Sequence, residues 1–366
     1  MKRLIAPVLL AVSLSAHAAP VENHLPRITA SPAAPSAGQA FGLEIKGTWP
    51  DGCGAGLKSV TSRGFDIVIV MQRPVGQICT DALVGYSLPI NPFAQGTSAQ
   101  AGVYRVRYEL TVPDQSSNRL LAFTLVPVTA VGQRALQPEA GYWVAEAGGE
   151  FSTSGSGVGF SIERQNTSVV ALSNLYDEGG KPLWYFTSGP LNGNVARGDL
   201  LTVSGGQPLF SGYRPPDSMD PVGELLMEFT APTTAVLWFS QPAGAGVIDE
   251  LKLQPISVHR FNFAYSSVSE VFRGNFVYFS ELAGGSGNRY LDFEPVRLGA
   301  FNRIGFWNRA TEERLECEIA QEKPGTLPKS CQFTRDGQLV ATFDQVGYTA
   351  MHGRDVAGHP VTLQRL

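Results

Sequence analysis

The sequence has little charge and few basic residues. Charged side chains make up 16% of the 366 residues, and 28 Lys and Arg stand against 32 Asp and Glu, which gives a formal net charge of -4. Charged residues make up about a quarter of an average soluble domain. Because a slightly acidic chain is a poor electrostatic match for nucleic acid or for anionic lipid, we expect no nucleic-acid partner.

Long apolar runs are missing after residue 14. Before that point, Lys2 and Arg3 precede an apolar run over residues 4–14, and small residues at Ala16 and Ala18 follow it. This pattern predicts a secretory signal peptide over residues 1–18. The alternative, a membrane anchor, needs about 20 apolar residues. We therefore predict an exported protein, periplasmic or extracellular, with no transmembrane segment after signal cleavage.

Cysteine is scarce, and the four that occur are Cys53, Cys79, Cys317 and Cys331. In an oxidising compartment an even number of cysteines favours disulfides, and four cysteines allow three pairings. Pairing within each predicted module favours Cys53–Cys79 and Cys317–Cys331. A zinc site is the alternative, but the sequence has no C-x-x-C motif. We predict two disulfides, no metal and no cofactor.

Helical periodicity is almost absent, whereas alternation of apolar and polar residues recurs along the chain. A period of two predicts β-strands. We therefore predict an all-β fold, in which an Ig-like β-sandwich is followed by two antiparallel β-sandwich or β-barrel-like modules. The predicted segments are the sandwich over residues 23–131, a linker over 132–140, a Trp- and Gly-rich β-domain over 141–263, and a disulfide-bearing C-terminal β-domain over 274–366.

One strand of the first module begins with Gly102, Val103 and Tyr104. This start is similar to the tyrosine corner of immunoglobulin-like sandwiches, in which the phenol bonds back to the preceding loop. The alternative is an ordinary cross-strand aromatic residue. The cysteines do not follow the antibody pattern, so the sequence indicates at most a relative of the immunoglobulin fold.

The second module carries several motifs at fixed spacing. They are Gly141-x-Trp143, Gly157-x-Gly159-Phe160, Tyr176-Asp177-x-x-Gly180-x-Pro182-Leu183-Trp184-Tyr185, Gly189-x-Leu191 and Pro221-x-Gly223-x-Leu225-x-x-x-Phe229. These motifs resemble those of an uncharacterised exported β-domain family of Gram-negative bacteria, in which an Ig-like module also precedes the domain. The Gly-rich loop is longer and richer in Ser here. The resemblance implies no activity, because the family has none assigned.

No catalytic motif stands out, and the catalytic residues are unknown at this level. Ser154, Ser156 and Ser286 lie in Gly-rich stretches, but none is the middle residue of a G-x-S-x-G elbow. No pair of carboxylates is placed by spacing alone to face each other across a cleft, as glycosidases require. A Ser-His-Asp triad is defined by geometry, so one that uses His259, His352 or His359 stays open.

Aromatic side chains are the best indication of a binding role. The candidates for stacking on a ligand are Trp143, Trp184, Tyr185 and Trp238. Along one strand, alternation places Trp184 and Phe186 on one side and Tyr185 on the other. If one side forms the core, the other presents an aromatic ring to a flat apolar partner such as a sugar. The alternative is that all these rings fill the cores.

We predict a non-enzymatic binding or structural module of the cell envelope, whose partner is an envelope glycan or protein. One alternative is an extracytoplasmic hydrolase acting on polysaccharide or peptide, which two converging carboxylates or a Ser/His pair in a cleft would favour. Another is a lipocalin-like carrier of a small ligand, in which the Trp-rich module closes as a ligand-holding barrel.

Overall fold

The computed structural model describes residues 25–93, 97–111, 117–146, 157–243, 250–280, 288–296, 302–308, 310–319 and 327–366. The predicted signal peptide and the Gly-rich stretches with Ser154, Ser156 and Ser286 lie outside these residues. Within the described ranges the chain forms 23 strands and one short helix. None of the helical structure there is long and apolar enough to cross a membrane. The predicted all-β fold is confirmed.

The first seven strands form a sandwich of two sheets. They are β1 (Arg27–Ser31), β2 (Gly42–Trp49), β3 (Gly56–Arg63), β4 (Asp66–Gln72), β5 (Val84–Ile90), β6 (Gly102–Thr111) and β7 (Arg119–Val128). One sheet has the order β1-β2-β5 and the other β3-β4-β6-β7. Strands β4 and β6 pair in parallel, whereas the sheets of an immunoglobulin domain are antiparallel. The module is therefore a two-sheet β-sandwich in which one sheet contains a parallel strand pair.

The predicted tyrosine corner is present at the start of β6. The backbone N–H of Gln100 donates a hydrogen bond to the phenol oxygen of Tyr104 at 2.9 Å. The buried Tyr104 ring makes edge contacts with Phe41 and Phe65, with ring centroids 5.5 and 5.2 Å apart. These contacts attach the loop before β6 to the sandwich core.

The next eight strands form a closed antiparallel barrel, which we call the first barrel. They are β8 (Gly141–Ala145), β9 (Gly159–Gln165), β10 (Ser168–Tyr176), β11 (Pro182–Asn192), β12 (Val195–Gly205), β13 (Pro216–Ala231), β14 (Thr234–Pro242) and β15 (Leu251–Arg260). Each strand pairs with the next, and β15 closes the barrel against β8. Alternation decides which side chains face inward: Leu225, Met227 and Phe229 join the barrel core, and Leu226 points outward.

The last eight strands form a second closed barrel of the same architecture, preceded by the short helix α1 (Val268–Val271). They are β16 (Gly274–Ser280), β17 (Arg289–Val296), β18 (Arg303–Asn308), β19 (Glu313–Glu318), β20 (Ser330–Arg335), β21 (Gln338–Val346), β22 (Ala350–Asp355) and β23 (Pro360–Arg365). Both barrels begin at a glycine with positive φ, Gly141 at 137° and Gly274 at 107°. A buried aromatic follows two residues later in each, Trp143 and Phe276.

Both predicted disulfides form. Cys53 and Cys79 are joined within the sandwich, with Cα atoms 5.2 Å apart, and both are partly exposed. Cys317 and Cys331 are directly opposite each other on β19 and β20, with Cα atoms 4.0 Å apart, and both are buried. Each bond therefore lies within one structural unit.

Residues 132–140, predicted as a linker, are bonded to both barrels. The side-chain oxygen of Gln345, on the second barrel, accepts from the backbone N–H of Gln137 at 3.1 Å, and its amide nitrogen donates to the Arg134 carbonyl at 3.3 Å. The backbone N–H of Glu139 donates to the carbonyl of Pro232, in a turn of the first barrel, at 2.8 Å. The segment is thus a fixed connection between the barrels.

Candidate functional site

The structure separates the four aromatic residues that were predicted to stack on a ligand. Trp143 is fully buried and packs against Phe229 at 5.9 Å inside the first barrel, so its ring is closed to an outside ligand. Tyr185 also faces inward and packs against the barrel core. Trp184 lies on the outer surface with 45% of its area exposed. The inward-facing rings of Trp143 and Tyr185 thus belong to the core, which was the alternative interpretation of the sequence.

Trp238 lies on the outer surface of the first barrel, but the sandwich covers it. Its indole N–H donates to a carboxylate oxygen of Glu228 at 3.1 Å, and its ring lies 5.0 Å from that of Phe123 on β7. The Arg105 guanidinium lies 5.5 Å from the ring centroid and 3.6 Å from Glu228. Trp238 therefore anchors the sandwich to the barrel.

A second contact fixes the same interface. The Arg197 guanidinium on β12 donates to the Glu224 carboxylate at 2.7 Å and to the carbonyl of Ile28, in the sandwich, at 3.0 Å. It also donates to the Thr124 hydroxyl at 3.2 Å. Because a guanidinium presents several donors in one plane, a single side chain joins Glu224 of the barrel to two groups of the sandwich.

Another part of the outer surface of the first barrel is apolar and has no such cover in the described part of the chain. Leu172, Phe186, Leu201 and Pro221 are paired in one row across β10, β11, β12 and β13. Neighbouring strands are about 4.8 Å apart, so the row is roughly 14 Å wide. Trp184 lies beside this row, two residues from Phe186, and Met219 on β13 is exposed as well. We call Leu172, Trp184, Phe186, Leu201 and Met219 the Trp184 face.

The motif residues of the second module build the barrel. The backbones of β11 and β12 approach so closely at Gly189 that a Cβ there would meet the Arg197 carbonyl oxygen. At Gly223 a Cβ would meet the carbonyl oxygen of Ser240. The Asp177 carboxylate accepts from the backbone N–H groups of Gly179 and Lys181 at 2.9 and 2.8 Å and closes the predicted hairpin turn between β10 and β11. The fixed spacings therefore reflect strand geometry, and they do not by themselves mark a site.

A cleft of about 740 Å³ lies between the two barrels. Its lining is of mixed charge and includes Arg134, His259, Arg260, Lys329 and Asp344. The Arg260 guanidinium lies 5.3 Å from the ring centroid of Tyr348 on the opposite wall, and burial raises the pKa of that phenol. The cleft is thus bounded by residues that hold the barrels together.

Two of the candidate histidines make structural contacts. The His352 ring lies 3.0 Å from the Thr362 hydroxyl, and its pKa is lowered to about 4 by burial and then by the nearby Arg134 and Arg164. The His359 ring lies 3.2 Å from Asp355, whose carboxylate also accepts from the backbone N–H of His359 in a turn. Neither contact includes a serine hydroxyl, as a Ser-His-Asp triad requires.

Metal-ligating side chains converge at one place in the described ranges, where Asp51 lies beside Cys53 and Cys79. The two sulfur atoms form a disulfide with each other. A cysteine binds zinc as a free thiolate, so this disulfide-bonded pair does not fit a zinc site.

Three polar side-chain atoms inside the first barrel have no hydrogen-bond partner among the described residues. They are the indole nitrogen of Trp143 and the hydroxyl oxygens of Ser173 and Thr187. On β11, Ser173 of β10 pairs with Tyr185, which is two residues before Thr187. On β9, Ser173 pairs with Phe160, and Phe160 in turn pairs with Trp143 on β8. Because buried polar groups normally have partners, this polar region of the interior requires an explanation.

Comparison with protein-family models, with curated proteins and with solved structures finds no match for the chain. Among the four aromatic candidates, Trp184 alone combines an outward position with an open surface.

Proposed function

We propose that the protein is an exported, non-enzymatic binding module of the cell envelope that holds a glycan on the Trp184 face. The observation that carries this proposal is the 45% exposure of Trp184 beside an apolar row on four strands. An indole ring stacks well on the apolar face of a sugar. The signal-peptide pattern and the two disulfides support export.

The contrast between Trp184 and Trp238 supports a binding role for the exposed ring. Both tryptophans point outward from the same barrel, and the sandwich covers Trp238 while Trp184 stays open. Docking of the sandwich through Arg197 and of the second barrel through Glu139 gives the Trp184 face a rigid support. Preorganised surfaces lose less entropy on binding than mobile ones.

Hydrolysis of polysaccharide or peptide is the less favoured alternative. The contacts of His352 and His359 are structural, and the cleft residue Arg260 contacts Glu139 and Tyr348. A binding assay that also measures release of soluble sugar or peptide tests this alternative directly.

A small-ligand carrier is the second candidate, and one observation favours it. The first barrel is closed, and three polar atoms on Trp143, Ser173 and Thr187, which have no hydrogen-bond partner among the described residues, face its interior. A small polar ligand would supply hydrogen bonds to them. Mass spectrometry of the denatured, freshly purified protein tests for such a compound.

We also propose that the chain belongs to the exported β-domain family that its motifs resemble. The support is that the motif residues Gly189, Gly223 and Asp177 each have a defined role in building the barrel. Motifs that specify one barrel are expected in members that differ in their ligands.

Sedimentation with insoluble cell-wall material and polysaccharides tests the glycan proposal. We expect the mature protein to pellet with at least one of these materials, and Trp184→Ala to reduce the bound fraction about tenfold or more. Tyr290→Ala is the matched control, because Tyr290 is an aromatic residue with 59% exposure on a strand of the second barrel. This control should bind like the unmodified protein.

Two outcomes would contradict the glycan proposal. One is retention that is equal for the unmodified protein and Trp184→Ala, provided that both have the same circular dichroism spectrum. The other is release of soluble sugar or peptide by the unmodified protein, which would make hydrolysis the favoured function.

A further inference from the structure

The hairpin that joins β12 to β13 extends beyond β14, the strand that neighbours β13. Strand β14 pairs with β13 from Glu224 onward, whereas β12 and β13 pair with each other as far as Gly205 and Pro216. Three large apolar side chains lie at the tip of this extension, and their exposed fractions are 85% for Leu209, 98% for Phe210 and 86% for Tyr213. Exposed apolar clusters of this kind mark interaction sites.

The tip holds its own shape. The backbone N–H of Ser211 donates to the Pro208 carbonyl at 3.1 Å, and the Gln207 side chain donates to the Ser211 carbonyl at 2.9 Å. Pro208, Pro215 and Pro216 have no backbone N–H to leave unsatisfied. The cost of moving a backbone out of water lies mainly in its unpaired polar groups, and the prolines and these two hydrogen bonds reduce their number at the tip.

The charge of the tip is balanced. Arg214 is the single charged residue between Gly205 and Pro216, and its guanidinium lies 2.6 Å from the Asp217 carboxylate. Leu209 and Phe210 lie in the middle of the connection between β12 and β13, and Tyr213 and Arg214 follow after two intervening residues in the chain. Tyrosine and arginine have an apolar body with a polar end, and such side chains favour the headgroup layer of a membrane.

We propose that this tip inserts into the interfacial layer of a lipid bilayer. Leu209 and Phe210 enter the acyl-chain boundary, while Tyr213 and Arg214 contact the headgroups. A convex tip is covered fully by a fluid phase that conforms to it, whereas a protein partner would need a matching pocket. The balanced charge favours zwitterionic phospholipid, because the acidic chain as a whole gains no attraction from an anionic surface. This proposal does not depend on glycan binding by the Trp184 face.

Sedimentation with phosphatidylcholine and phosphatidylethanolamine vesicles tests the proposal. We expect the unmodified protein to bind these protein-free vesicles, and the double variant Leu209→Ser and Phe210→Ser to bind at least tenfold more weakly. Binding should persist at high salt, because burial of apolar area provides the affinity. The matched control is Ile78→Ser, since Ile78 is fully exposed on the sandwich, far along the chain from the tip. It should bind as the unmodified protein does.

A second variant tests the depth of insertion without removing apolar area. Phe210→Trp should bind vesicles. On binding, its tryptophan emission should shift to shorter wavelength, and this shift should be larger than that of the unmodified protein. Trp184→Ala should bind vesicles normally, so that failure of the glycan proposal and failure of this one are distinguishable.

Three results would overturn membrane insertion. They are the absence of vesicle binding by the unmodified protein, equal binding by the double variant, and binding to native membranes that protease treatment of those membranes abolishes. The last result would assign the tip to a protein partner.

Discussion

The Glu139 carboxylate joins the two barrels by bonding to Thr349. One carboxylate oxygen accepts from both the backbone N–H and the hydroxyl of Thr349, each at 2.7 Å. The other oxygen lies 3.5 Å from Nε of Arg260, at the end of β15 in the first barrel. Thr349 lies in the turn between β21 and β22 of the second barrel. A single buried acid in the segment between the barrels thus contacts both of them.

Replacement of Glu139 by alanine should weaken the molecule. The change leaves the half-buried Arg260 without its carboxylate and two Thr349 donors without an acceptor, so we expect the free energy of unfolding to fall by about 3 kcal/mol. Chemical denaturation measures this loss. Glu146→Ala is the control, because Glu146 is an exposed acid at the same cleft. A loss for Glu139→Ala no larger than for the control would contradict the assigned role.

The stability of the protein should decrease in acid through His352. Its pKa is about 4 in the folded protein, against 6.5 for an ordinary histidine. Below pH 6.5 the unfolded chain binds a proton that the folded protein still excludes, so the free energy of unfolding falls as the pH drops from 6.5 towards 4. Above pH 6.5 His352 is neutral in both the folded and the unfolded state, so it no longer lowers the free energy of unfolding. Thermal unfolding across this range should show a smaller slope for His352→Gln than for the unmodified protein, and an equal slope for the two would contradict this prediction.

Thr187→Val tests whether the polar region of the first barrel is dry. The Thr187 hydroxyl is buried without a partner among the described residues, so an apolar side chain of the same shape should raise the free energy of unfolding by about 1 kcal/mol. Thr124→Val is the matched control, because the buried Thr124 hydroxyl accepts from Arg197 and its removal should destabilise the protein. A loss of stability in Thr187→Val would instead indicate a bound water or ligand and would favour the carrier role.

The two disulfides should differ in their response to reductant. Cys53 and Cys79 are partly exposed, whereas Cys317 and Cys331 are buried in the second barrel. Under native conditions we expect dithiothreitol to reduce the first pair and spare the second, as counted by alkylation and mass spectrometry. The Cys317–Cys331 bond should become reducible when the protein is unfolded. Loss of this bond should lower the free energy of unfolding by about 3 kcal/mol, since it closes a loop with a sequence separation of 14 residues. Equal labelling of all four cysteines in the native protein would contradict this prediction.

Local patterns in the sequence are sufficient for the strands, the turns and the cysteine pairs. The Asp177 turn is predictable because its side chain bonds to backbone groups only two and four residues away. Both disulfides lie within one unit, so their pairing follows from the short separations of 26 and 14 residues. The bond at Tyr104 spans four residues and is also local. These features depend on contacts between residues close together in the chain.

The sequence by itself determined an all-β protein in which alternation assigns each side chain to one face of its strand. Tertiary structure decided which outward faces are covered. Trp184 and Trp238 both point away from the first barrel, and the difference between them comes from Phe123, which is more than 60 residues away from either in the chain. Closure of each barrel and the bonds of Glu139 likewise join distant segments. A period of two fixes inside and outside along a strand, but it carries no information about the unit that packs against that strand.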